Sequence, residues 1–92
     1  MRHDYSDPTV LGDLYGTLSA MRCDFSAHWN YNGDENGNAW LGVTILSSLS
    51  WNETRLLGEW LEDVGGDFRI GDGKVRFRLW FSNVTDADGA LV

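Results

Sequence analysis

Residues 68–81 read FRIGDGKVRFRLWF, and the alternation in this stretch decides the fold. Phe68, Ile70, Val75, Phe77, Leu79 and Phe81 fall at every second position on either side of Asp72-Gly73. A period of two puts all six on one face of a pleated hairpin. The central Asp-Gly pair suits a two-residue turn, which needs positive φ at both positions. Arg69, Lys74, Arg76, Arg78 and Trp80 then point the opposite way. In that register Arg69 lies across from Arg76, and Asp67 across from Arg78. The second pair is favourable. The first sets two like charges against each other and is unfavourable unless an anion lies between them.

Upstream of the hairpin, Ser50-Trp51-Asn52-Glu53 has the S-x-x-E form of a helix-starting capping box. Leu56, Leu57, Trp60, Leu61 and Val64 supply its apolar stripe, and Gly65-Gly66 ends it. Before that lie two alternating runs. Asp24 to Tyr31 sets Phe25, Ala27, Trp29 and Tyr31 on one side and Asp24, Ser26, His28 and Asn30 on the other. Ala39 to Leu46 sets Ala39, Leu41, Val43 and Ile45 against Trp40, Gly42, Thr44 and Leu46. The polar, glycine-containing NGDENGN of residues 32–38 turns the chain between them. An earlier helix starts at Asp7-Pro8, with Asp as cap and Pro in the first turn. Val10, Leu11, Leu14, Leu18 and Met21 form its stripe.

The predicted element order is therefore α-β-β-α-β-β. Each strand has one apolar face and each helix one apolar stripe, which predicts an α+β two-layer sandwich: a four-stranded, mainly antiparallel sheet with two helices on one face. The order is a circular permutation of the ferredoxin-like β-α-β-β-α-β unit, and by that analogy the strands lie third-fourth-second-first across the sheet. The fourth strand then lies beside the second, so His28, Trp40 and Thr44 join Arg69, Arg76, Arg78 and Trp80 on the uncovered face.

Length and composition agree with one domain over residues 1–92, with 1–6 and 83–92 expected to be flexible. Twelve aromatic residues, 42% hydrophobic content and 23% charged content exclude disorder as the default. No apolar run reaches the ~18 residues of a membrane span, and the first residues lack the apolar core of a secretory signal. With Cys23 the only cysteine, these features predict a cytoplasmic protein without disulfides.

Seven basic and fourteen acidic residues give a net charge of −7. The charges are segregated. Residues 68–82 hold four basic side chains against Asp72 alone, leaving three against thirteen elsewhere. The molecule is an acidic body with one cationic hairpin.

No catalytic, metal or cofactor site is expected. The sequence has no phosphate-cradling G-x-x-x-x-G-K-[ST], no H-E-x-x-H and no G-x-S-x-G. Only His3 and His28 offer an imidazole that could act as a near-neutral base. The acidic loops at residues 34–36 and 86–89 lack the ligand spacing of a calcium loop.

The leading functional expectation is a non-catalytic binder of a partner protein with a basic surface. Asp13, Asp34, Glu35, Glu59, Glu62 and Asp63 would form the contact. Such a protein is a small inhibitor or adaptor, of the kind phages and other mobile elements direct at host nucleic-acid machinery, and could mimic nucleic acid. The alternative puts function on the sheet face, where His28, Trp40, Arg69, Arg76, Arg78 and Trp80 would hold a nucleotide, RNA or another phosphate-bearing ligand. Direct nucleic-acid binding ranks below protein binding, because the acidic body repels a polyanion. A third expectation is a homodimer that closes this face.

Overall fold

The Asp72-Gly73 turn has φ values of +54° and +72°, the two left-handed centres of a type I′ turn. The register that follows pairs Ile70 with Val75, Arg69 with Arg76 and Asp67 with Arg78, as the alternation predicts. In the computed structural model, which describes residues 2–92, the elements are β1 (Arg2–Asp4), α1 (Thr9–Ala20), β2 (Phe25–Tyr31), β3 (Ala39–Ile45), α2 (Trp51–Asp63), β4 (Asp67–Gly71) and β5 (Lys74–Ser82). β4, β5, β3 and β2 lie side by side in that order and pair antiparallel, which is the predicted third-fourth-second-first arrangement.

The sheet has five strands where four were expected. β1 runs parallel to the far half of β5, setting Arg2, His3 and Asp4 beside Trp80, Phe81 and Ser82. β4 and β1 thus share one edge of the long β5, and β3 occupies the other. This corrects the expectation that residues 1–6 are a flexible end; Met1 lies outside the described residues. His3 Nε2 is 2.6 Å from the Val64 carbonyl oxygen. Tyr5 meets Trp29 and Phe81 edge-on, with ring centroids 5.6 and 6.4 Å apart.

The far end, residues 83–92, is likewise anchored rather than loose. Val84 is buried, and its N–H donates to the Gly37 carbonyl at 2.9 Å. Val92 N–H donates back to Val84 at 3.0 Å, and Gly37 N–H to the Val92 carbonyl at 2.7 Å. The loop closes on the β2–β3 turn through backbone bonds, which side-chain composition does not reveal.

Both helices begin as their sequences require, and α2 ends so too. Asp7 Oδ1 accepts from the Thr9 backbone N–H at 3.0 Å and from its hydroxyl at 2.6 Å, while Pro8 is already helical at φ −77°. At α2, Glu53 N–H donates to Ser50 Oγ at 3.1 Å and Ser50 N–H to Glu53 Oε1 at 2.9 Å. These bonds hold the Asp7 and Glu53 carboxyls below the usual range: for Asp7 the Thr9 hydroxyl is the main cause, for Glu53 the Ser50 backbone N–H. Gly65, at φ +70°, reverses the chain after α2, and Gly66 N–H reaches the Leu61 carbonyl at 2.7 Å.

One core lies between the layers. Leu14 and Leu18 of α1 and Leu57 and Leu61 of α2 pack with Ala39, Leu41, Val43 and Ile45 of β3 and Val75, Phe77, Leu79 and Phe81 of β5. Four residues expected on this face are exposed: Ala27 and Tyr31 lie on the edge strand β2, with Leu56 and Ile70 the other two. Leu56 lies just over a quarter-turn from Leu57, off the buried stripe, and Ile70 sits next to the hairpin turn. Among the described residues, no helix is long and apolar enough to cross a membrane.

Candidate functional site

The face of the sheet turned away from the helices is ordered by strand register. One row across it runs Ser26, Thr44, Arg76, Arg69; the next His28, Gly42, Arg78, Asp67; the third Asn30, Trp40, Trp80, Arg2. Gly42 is the one position in this grid without a side chain. Its backbone is buried because Trp40 leans along the strand above it: a Cβ there would lie 3.0 Å from the indole Cζ3. Beside this glycine opens a hollow of about 370 Å³, lined by His28, Trp40, Gly42, Thr44, Asp67, Arg69, Arg76 and Arg78 among others.

The arginines are not equivalent. Arg78 is held: its Nε donates to Asp67 Oδ2 at 3.1 Å, and its Nη2 donates to the same oxygen. Its guanidinium carbon also lies 5.4 Å from the Trp40 ring centre and 5.2 Å from that of Trp80, within cation–π range of both indoles. The Arg78 hydrogen bond is the main reason the Asp67 carboxyl is held below the usual range. Arg69 reaches the same Asp67 oxygen only at 3.6 Å, and its side chain is 74% exposed. Arg76 is exposed and faces Arg69 across the strand pair; among the described residues it has no carboxylate within ion-pair distance.

The six residues expected on this face do share it, and five of them line the hollow. Trp80 stands behind Arg78 instead. Gly42 was missed as a site residue, although a lone glycine at the centre of an alternating strand was a visible signal. Asn30 is a second addition. Its Nδ2 is enclosed without a hydrogen-bond acceptor, on the same face and in register with Trp40.

The acidic set is distributed differently. Asp13 lies on α1, Asp34 and Glu35 in the β2–β3 turn, and Glu59, Glu62 and Asp63 on α2; all are exposed, and none lines the hollow. Glu59 is paired with Arg55 one turn earlier at 3.0 Å. Asp34 Oδ1 accepts from the Asn36 N–H at 3.2 Å, as turn chemistry requires.

A guanidinium stays protonated at any pH the fold meets, so the arginines recognise anions rather than move protons. His28 contributes an imidazole to the lining. Cys23 is half-buried beneath the end of α1, Sγ 3.6 Å from the Leu18 carbonyl oxygen, and burial pushes its thiol up. No protein-family model matches the chain, and no curated protein or solved structure shows significant similarity to it.

Proposed function

We propose that this chain is a non-catalytic binding domain whose working surface is the open sheet face, and that it takes a phosphate-bearing ligand there. The carrying observation is the facing pair Arg69 and Arg76. Both line a hollow whose only carboxylate, Asp67, is already committed to Arg78. Arg76 has no carboxylate within ion-pair distance among the described residues and Arg69 only the 3.6 Å approach to Asp67, so two like charges face each other in the ladder and oppose folding; an anion between them reverses the sign of that interaction. A phosphate, with more oxygens and up to two charges, answers both guanidiniums more fully than a carboxylate does.

The test is calorimetric titration with inorganic phosphate and pyrophosphate at low and high salt. Binding that weakens with salt and is lost in Arg76→Ala supports this reading. Equal binding by wild type and Arg76→Ala contradicts it.

A second reading retains a basic protein partner for the acidic surface, as an inhibitor or adaptor would use it. It is favoured by Asp13, Asp34, Glu35, Glu62 and Asp63, none of which has an ion-pair partner among the described residues. On that reading, a partner captured at low salt is released by salt and by the Glu62→Lys, Asp63→Lys double variant. A homodimer closed on the sheet face would instead block phosphate as protein concentration rises. Cytoplasmic residence is part of the proposal; one half-buried cysteine suits a reducing compartment.

A further inference from the structure

We infer that the ligand of this face is a single mononucleotide, one base with a terminal phosphate, rather than a strand of nucleic acid. The inference rests on the phosphate-binding reading above and adds three observations.

The first is charge. The hollow carries Arg69, Arg76 and Arg78 against Asp67, a surplus of two positive charges. A terminal phosphate monoester carries about −1.5 to −2 at neutral pH, which matches that surplus. An internal phosphodiester carries a single charge and matches it only if two consecutive linkages enter together.

The second is shape. His28 and Arg78 flank Gly42, one strand away on either side, so the walls stand about 10 Å apart at the backbone. Between them lies the Trp40 indole, leaning over Gly42, with the Arg78 guanidinium carbon 5.4 Å from its ring centre. Arg78 and Asp67 thus hold an aromatic ring beside the Gly42 row. One row along, Arg76 has no carboxylate partner among the described residues and Arg69 only a long one, so base and phosphate would sit in adjacent rows of one face. The hollow of about 370 Å³ is at the small-ligand end of binding cavities.

The third is what surrounds the site. Outside residues 68–82 the chain has three basic and thirteen acidic side chains. That net negative charge opposes the approach of a polyanionic strand more than that of a single phosphate.

The experiment follows tryptophan fluorescence, with calorimetry in parallel, during titration with AMP, GMP, CMP and UMP. Adenosine supplies base without phosphate, inorganic phosphate the reverse, and a ten-residue oligo-dT the strand. At least one mononucleotide is expected to bind tenfold or more tighter than adenosine and than phosphate. Arg76→Ala should remove most of that affinity with an unchanged circular dichroism spectrum. Trp40→Leu should weaken the nucleotide about tenfold while leaving phosphate binding intact. Gly42→Ala, which crowds the indole without changing charge, should weaken nucleotide and phosphate unequally, the nucleotide more. Phosphate binding as tightly as every nucleotide would overturn the mononucleotide inference and leave the phosphate reading standing. Oligo-dT binding tenfold tighter than any mononucleotide would replace it with a strand-binding surface. Failure of phosphate, nucleotides and oligonucleotide alike would remove both.

Discussion

Arg76 and Phe77 are consecutive in β5, and they belong to different problems. Phe77 is 2% exposed, in a core that draws on both helices and both central strands. Arg76 is exposed, faces another arginine and has no counter-charge of its own. The same contrast runs along the strand, with Val75, Phe77, Leu79 and Phe81 inward and Arg76, Arg78 and Trp80 outward. One side of the sheet is accounted for by packing. The other holds a like-charge pair, a hollow and an unpartnered amide, none of which helps the chain fold. A feature that folding does not explain is the natural place to look for function.

Substitutions should separate the two faces by size and kind of effect. Phe77→Ala removes a buried ring and should cost about 3–5 kcal/mol in chemical denaturation, a large part of a small domain's stability. Ser50→Ala tests the layer that covers the inner face: it opens the capping box and should cost about 1 kcal/mol. Asp67→Asn acts on the outer face. It removes the charge that holds Arg78 and should lower stability less than Phe77→Ala, while changing the fluorescence contributed by Trp40 and Trp80.

Asp67 also carries part of the acid response. Its carboxyl, like those of Asp4, Asp7 and Glu53, is held below its ordinary range in the folded chain, mainly by hydrogen bonds. For a lowered carboxyl the stabilisation is present above the unfolded pKa and is lost as pH falls through the folded one. Stability should therefore hold from neutrality to about pH 5 and decline below about pH 4, with a shallower decline in Asp67→Asn. Flat stability to lower pH would show that these bonds do not hold in solution. Arg76→Ala should change stability least, within about 0.5 kcal/mol and toward greater stability, because it relieves Arg69. A large loss there would mean that Arg76 is structural after all.

Much of this was readable from residues alone where one local rule fixes the answer. Asp72-Gly73 sets the register of the whole hairpin, so the Arg69–Arg76 and Asp67–Arg78 pairs follow before any tertiary contact is known. Ser50 with Glu53, and Gly65-Gly66, bound α2 in the same way. What sequence did not reveal depends on partners far along the chain. Arg2–Asp4 is too short to show alternation, and it becomes a strand because β4 leaves one edge of the far half of β5 open. Residues 83–92 look polar and loose, yet their backbone closes on Gly37. The outer face was visible as a set of residue types, but not its division of labour. That Arg78 is committed and Arg76 free depends on where Asp67 and two indoles meet, and the hollow on how Trp40 leans over Gly42.

The five tryptophans offer the most direct test, because each indole N–H gives its own signal in a nitrogen–proton correlation spectrum. Trp40 and Trp80 lie on the open face; Trp29 and Trp60 pack against the core, and Trp51 is 77% exposed at the start of α2. Titrating with AMP, the account expects the Trp40 and Trp80 indoles to move together with the backbone amides of Gly42, Thr44, Arg69 and Arg76. The Trp51 and Trp60 signals should stay in place. Shifts centred on Trp51, Trp60 and the amides of α1 and α2, with the Trp40 signal unmoved, would contradict it.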